Sequence, residues 1–115
     1  MSAHKRTVSA TIAINQSLSG AVALGDGVLT GIVMPTAWTA AVLTFQVSHD
    51  GSTYQNLYDE AGGEYTIAAD AARNIAVPAG DFSGWSYLKI RSGTSAAAVN
   101  QAAARTLTLV ARNIE

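Results

Sequence analysis

Apolar side chains recur at every second position in short runs along this chain, and almost every run stops at Gly, Pro, Asn, Asp or Ser. The plainest case is Leu43, Phe45 and Val47 alternating with Thr44, Gln46 and Ser48. A period of two puts successive side chains on opposite faces, so each run reads as a strand with one face on a core. The same reading applies to Val8–Ile14, Ala21–Leu24, Val28–Met34, Tyr54–Tyr58, Glu64–Ala68, Arg73–Val77, Tyr87–Arg91 and Thr106–Arg112. Gly25-Asp26-Gly27, His49-Asp50-Gly51-Ser52 and Asp59–Gly63 supply turns, while Pro35 and Pro78 stop ladders for want of an N–H. The expectation is an all-β fold: an antiparallel β-sandwich or jelly roll of about eight short strands, with Leu43–Tyr58 as a hairpin.

Residues 94–105, TSAAAVNQAAAR, break the pattern. Their alanines favour helix locally. With Val99 as the one large apolar anchor, an irregular loop is the preferred reading over a short helix. Residues 1–7 read as a flexible N-terminal arm and 8–115 as a single sandwich domain. A chain of 115 residues can close one core without disulfides, and it has no cysteine with which to make one. The start MSAHKRT lacks the apolar run of a signal peptide, and no segment approaches the roughly 20 apolar residues of a membrane span. A soluble product with no membrane partner is expected.

Charge narrows the function classes. Lys, Arg, Asp and Glu make up 13% of the chain, about half of the ~25% usual in soluble domains. Such a surface must be largely Ala, Ser, Thr, Gly and Asn. Depletion of charge marks the centres of interfaces, so the composition suggests a protein covered by neighbours in an assembly. A net charge of −1 argues against a partner held by phosphate attraction, so no nucleic acid is expected. Acids dominate up to Asp81 and bases dominate after it. That split either marks complementary faces or is intermixed by folding.

The residues that chemistry could use are sparse, and no enzyme is expected. His4 falls in the arm and His49 in a turn, neither the oriented setting of a general base. Ser48-His49-Asp50 holds the letters of a hydrolase triad, but adjacent residues at a strand end point in different directions. Asp59, Glu60 and Glu64 could offer oxygens to calcium, yet their spacing matches no EF-hand loop and a solvated acidic turn is preferred. Gly25-Asp26-Gly27 leads into a strand, so it is no phosphate loop. No cofactor or metal is called for. Trp38, Trp85, Tyr54, Tyr58 and Tyr87 are either core plugs or a platform for stacking sugars, with Trp38, Tyr54 and Tyr58 as the candidate glycan contacts.

Two family resemblances add to this. The stretch LTFQVSHDGSTYQNLY, with S-x-D-G and an aromatic three residues after the glycine, resembles the hairpin of discoidin or galactose-binding-like sandwiches, and Tyr87–Arg91 is similar to their returning strand. Tyr54 stands where those proteins commonly have tryptophan, and no ligand loop carries over. More widely, residues 17–67, beginning SLSGAVALGDG, and 87–112, ending TLTLVAR, resemble small proteins of tailed-bacteriophage structural gene clusters. That resemblance implies a virion component, first of all a capsid decoration or cement protein on the outer capsid surface, made in the bacterial cytoplasm. Its partners would be the major capsid protein and, as a homo-oligomer, further copies of itself; a neck or tail position is the variant. Candidate capsid or subunit contacts are Lys5 and Arg6 in the arm, Trp38 between two strands, and Val99 and Arg105 in the Ala-rich segment.

Overall fold

The computed structural model describes residues 5–113. They form eight strands: β1 (Lys5–Ile12), β2 (Val22–Ala23), β3 (Gly27–Val33), β4 (Leu43–Ser48), β5 (Gln55–Asn56), β6 (Asn74–Ala76), β7 (Tyr87–Ser92) and β8 (Arg105–Asn113). A first sheet runs β1-β8-β3-β6 and a second β2-β7-β4-β5, with every pairing antiparallel. The chain crosses between sheets at nearly every step, which is the strand order of a two-sheet jelly roll. Only β4 and β5 follow one another within a sheet, and they form the expected hairpin through Gln46 opposite Asn56 and Val47 opposite Gln55.

The period-two rule explains the core. Ala10 and Ile12 of β1, Leu107, Leu109 and Ala111 of β8, and Ile32 of β3 face Phe45 and Val47 of β4 and Leu88 and Ile90 of β7. Most of these are fully buried, and each large aliphatic side chain so buried stabilises the fold by about 1.5–3 kcal/mol. A short 3-10 turn, Ala79–Phe82, drives Phe82 into the same core. There Phe45, Tyr65 and Phe82 meet edge to face, with ring centroids 5.1 Å apart for the two phenylalanines and 5.3 Å for Tyr65 and Phe82. No helix among the described residues is long and apolar enough to cross a membrane.

Three expectations need correcting. Lys5, Arg6 and Thr7 are not an arm: they continue β1, opposite Arg112, Ala111 and Val110 of β8. The apolar alternation stops at Val8 because Arg6, on the same side as Val8, Ala10 and Ile12, is charged and exposed, yet backbone pairing to the long β8 carries the ladder to Lys5. The rest of the expected arm, Met1–His4, lies outside the described residues. Second, Glu64–Ala68 forms no strand of its own. It touches the sheet through isolated bridges, Tyr58 to Glu64 and Leu43 to Ile67. Third, the Ala-rich segment is held by a residue that apolar patterning does not single out. The segment is a loop, as preferred, with a tight turn at Thr94–Ala97, but Val99 is only half-buried while Gln101 is fully buried.

Candidate interaction surfaces

The two outward faces of the sandwich differ in kind. On the first sheet, alternation turns out Thr7, Ser9 and Thr11 of β1, Thr106, Thr108 and Val110 of β8, Gly31 and Val33 of β3, and Asn74 and Ala76 of β6. None carries a charge. The hydroxyls of Thr11 and Thr106 lie 3.1 Å apart across the β1–β8 pair. Among these outward strand positions charge is confined to one end, where Lys5 and Arg112 lie directly opposite one another, a like-charge pair that is unfavourable within the sheet.

The second sheet's face is closed by its own side chains. Arg91 donates from Nη2 to Asn56 Oδ1 at 2.7 Å and from Nη1 to Glu64 Oε2 at 3.2 Å and Thr44 Oγ1 at 3.3 Å. Glu64 in turn accepts from the Ser95 backbone N–H. This ion pair is nearly buried, with side-chain exposures of 8% and 14%. It ties residue 64 to β7 and so overrides the acid-to-base split read along the chain. Lys89 Nζ lies 4.6 Å from the centre of the Tyr54 ring. Beside it, Gly51, at φ +79°, lies under the Tyr87 ring, where an added Cβ would come within 3.0 Å of Cζ.

Past β5 the face opens into a groove of about 310 Å³ floored by Val47 and Leu57 and walled by His49, Asn56, Tyr58 and Trp85. A second depression of similar volume continues on the far side of Tyr58 and Trp85 to Glu60, Tyr65 and Asp81. Tyr58 is 52% exposed. Tyr65 donates its hydroxyl to Asp81 Oδ2 at 2.6 Å, and burial, with that bond, pushes the phenol's pKa up.

The anticipated contacts fare unevenly. Lys5 is exposed on β1. Arg6 is exposed too, its guanidinium lying across Gly25 and Gly27. Trp38 is no surface contact: it is buried in the core and donates Nε1–H to the Ala41 carbonyl at 3.1 Å. That corrects its placement in both the capsid and the glycan sets, since a ring packed among core side chains cannot stack on a partner. Arg105 is half-buried and bound internally, to Gln101 Oε1 at 3.1 Å and Thr39 Oγ1 at 3.2 Å. Tyr54 is half-buried against Lys89, so of the three glycan candidates only Tyr58 meets a groove. Its companion there is Trp85, which sequence reasoning named among the aromatics but not among the contacts. No local signal separates it from Trp38.

The other polar sets are engaged in turns. Ser48 Oγ donates straight to Asp50 Oδ1 at 2.9 Å, with no imidazole between them, and accepts from the N–H of Gly51. Asp50 Oδ1 also accepts from the N–H groups of Ser52 and Thr53. Asp59 Oδ1 takes the N–H groups of Ala61 and Gly63, while Glu64 faces Arg91, so these two carboxylates serve different partners. Compared with known proteins, the chain matches no protein-family profile and no curated protein.

Proposed function

We propose that this is a non-enzymatic structural protein of a virion, a decoration or cement protein that lies on the capsid lattice through the outward face of its first sheet. The observation that carries the reading is that face: a run of outward Thr, Ser, Val, Gly, Asn and Ala across four strands with its charge gathered at the Lys5–Arg112 end. A face without charge loses little hydration when covered, and β-branched side chains standing on a sheet present a rigid surface whose ordering costs little entropy on binding. Lys5 and Arg112 supply an electrostatic register mark against an acidic patch of the major capsid protein. The jelly roll is compatible with this role, and with others, so the weight rests on the face.

The test is binding of the purified chain to capsids lacking it. Saturable, stoichiometric binding that Val33→Lys or Thr108→Lys weakens at least tenfold is the expected result. Absence of binding to such particles overturns the reading.

A second reading is favoured by a different observation. The Tyr58–Trp85 groove joins aromatic faces to His49, Asn56 and Asp81, a chemistry suited to sugar rings. Glycan-array signal lost in both Tyr58→Ala and Trp85→Ala would support a carbohydrate-binding module, and an empty array would remove it.

A further inference from the structure

Sheet edges offer unpaired N–H and C=O groups, and proteins ordinarily blunt them with short strands, prolines, bulges or lysines. Three of the four edges here are short: β2 and β5 have two residues each and β6 has three. The fourth, β1, has eight residues. Its register against β8 runs without a bulge from Lys5 to Ile12. It holds no proline, and Thr7–Ile12 carries no charge. Among the described residues, the backbone of β1 bonds only to β8. An edge of this length, regularity and neutrality is a template for another strand.

We propose that β1 pairs antiparallel with β1 of a second copy, joining two first sheets into one eight-stranded sheet across a two-fold axis at Ser9. Symmetry and charge select this occupant and register. The only charges on β1, Lys5 and Arg6, sit at its N-terminal end. Antiparallel self-pairing sends the two basic ends in opposite directions, whereas parallel pairing would set them side by side. In an antiparallel pair, opposed residues share a face, so inward residues must oppose inward ones for the two cores to stay covered. Pairing about Ser9 meets this condition. Thr7 then faces Thr11 of the second copy on the outward side, a favourable cross-strand pair, and Val8 faces Ala10 on the inward side. Arg6 opposes Ile12, and both lysines fall beyond the paired stretch. Moving the axis to Val8 would instead bring Lys5 into the ladder, opposite Thr11, and carry Arg6 inward to face Ala10.

The inference goes beyond the capsid reading and does not depend on it. It also has a consequence for that reading: two charge-free faces would become one continuous surface presented twice to a lattice.

The chain's lack of cysteine makes the test clean. Sedimentation equilibrium of the full chain should give a reversible dimer. Single spin labels at Thr7→Cys, Ser9→Cys and Thr11→Cys should show the strongest dipolar coupling at 9. Coupling should fall equally at 7 and 11, each offset from its own copy by four residues or about 14 Å along the strand. Ser9→Lys places two lysines on the axis and should weaken the dimer at least tenfold while circular dichroism stays unchanged. Val33→Lys, two strands in from the edge, should leave the dimer intact while impairing capsid binding. A monomer at all concentrations overturns the proposal, as does a dimer whose coupling is not centred on residue 9. Ser9→Lys monomers that still bind capsids, or Val33→Lys dimers that do not, separate this inference from the functional reading.

Discussion

The two outward faces share a backbone plan and differ in what holds them. The second sheet's face is tied down by its own chain, through Arg91, Glu64, Asn56, Thr44 and the Lys89–Tyr54 contact. On the first sheet, the described residues show only two neutral side-chain hydrogen bonds across strands, Thr11 with Thr106 and Thr30 to the Val110 carbonyl, and no ion pair between its outward strand residues. Substitutions on the second face should therefore register in folding stability. Those on the first should register in association. A jelly roll can divide its two sheets in this way because both share one core, so that one outward face is free to serve partners.

The largest effect should come from breaking the Arg91–Glu64 pair. Glu64→Ala leaves a guanidinium that is 8% exposed without its counter-charge, and such a loss costs about 3–5 kcal/mol. It also removes the acceptor of the Ser95 N–H. Urea denaturation should show this as a lower midpoint at unchanged slope. Replacing both partners, Glu64→Leu with Arg91→Met, should recover most of the loss, since a buried pair and a well-packed apolar substitute differ little in net stability. A Glu64→Ala midpoint equal to the parent's would mean that the second face is not held by this pair.

A smaller loss is expected at Gln101→Ala. The Gln101 amide takes the N–H of Thr39 at 2.8 Å and donates to the Thr39 carbonyl at 3.0 Å and Ser92 Oγ at 2.7 Å. Truncation strands the buried Ser92 hydroxyl and the half-buried Thr39 backbone groups, at about 1–3 kcal/mol. Hydrogen exchange should quicken at Thr39 while β1 amides away from the loop keep their rates. Gln101 also marks the limit of what sequence shows. The strand runs were legible because period-two patterning is local, and Leu43–Ser48 was bounded to the residue. The jelly-roll strand order, the burial of Gln101 and the counter-charge of Arg91 depend on partners 27 to 62 positions away, where periodicity carries no information. The burial of Trp38 is hidden for the same reason: it lies in a connection, where alternation stops, yet its ring reaches the core.

On the first face, Val33→Lys and Thr108→Lys should change folding stability by no more than about 0.5 kcal/mol, the range of surface substitutions away from special features. Thr11→Ala, which removes the Thr11–Thr106 link, should cost about 0.2–1 kcal/mol. If instead Val33→Lys lowers the denaturation midpoint as far as Gln101→Ala does, the division between a self-held face and an open one fails.

The smallest effect is a pH response that should be confined to the second sheet. Asp50, at the tip of the β4–β5 hairpin, has its pKa held down at about 2, below the ordinary 3.8 of the side chain, first by the Ser52 N–H, then by the Thr53 N–H and the Ser48 hydroxyl. A depressed carboxyl pKa means that the charged form is favoured in the folded state. Its stabilisation is therefore fully present above pH 3.8 and is lost as pH falls toward 2. In an NMR titration, the Ser52 and Thr53 amides should shift with a midpoint near 2, and Asp50→Asn should abolish that transition. The outward residues of β1, β8, β3 and β6 include no carboxylate among those described. Their amides should stay still through the same window, and a matching shift on β1 would show the two faces to be coupled through the core.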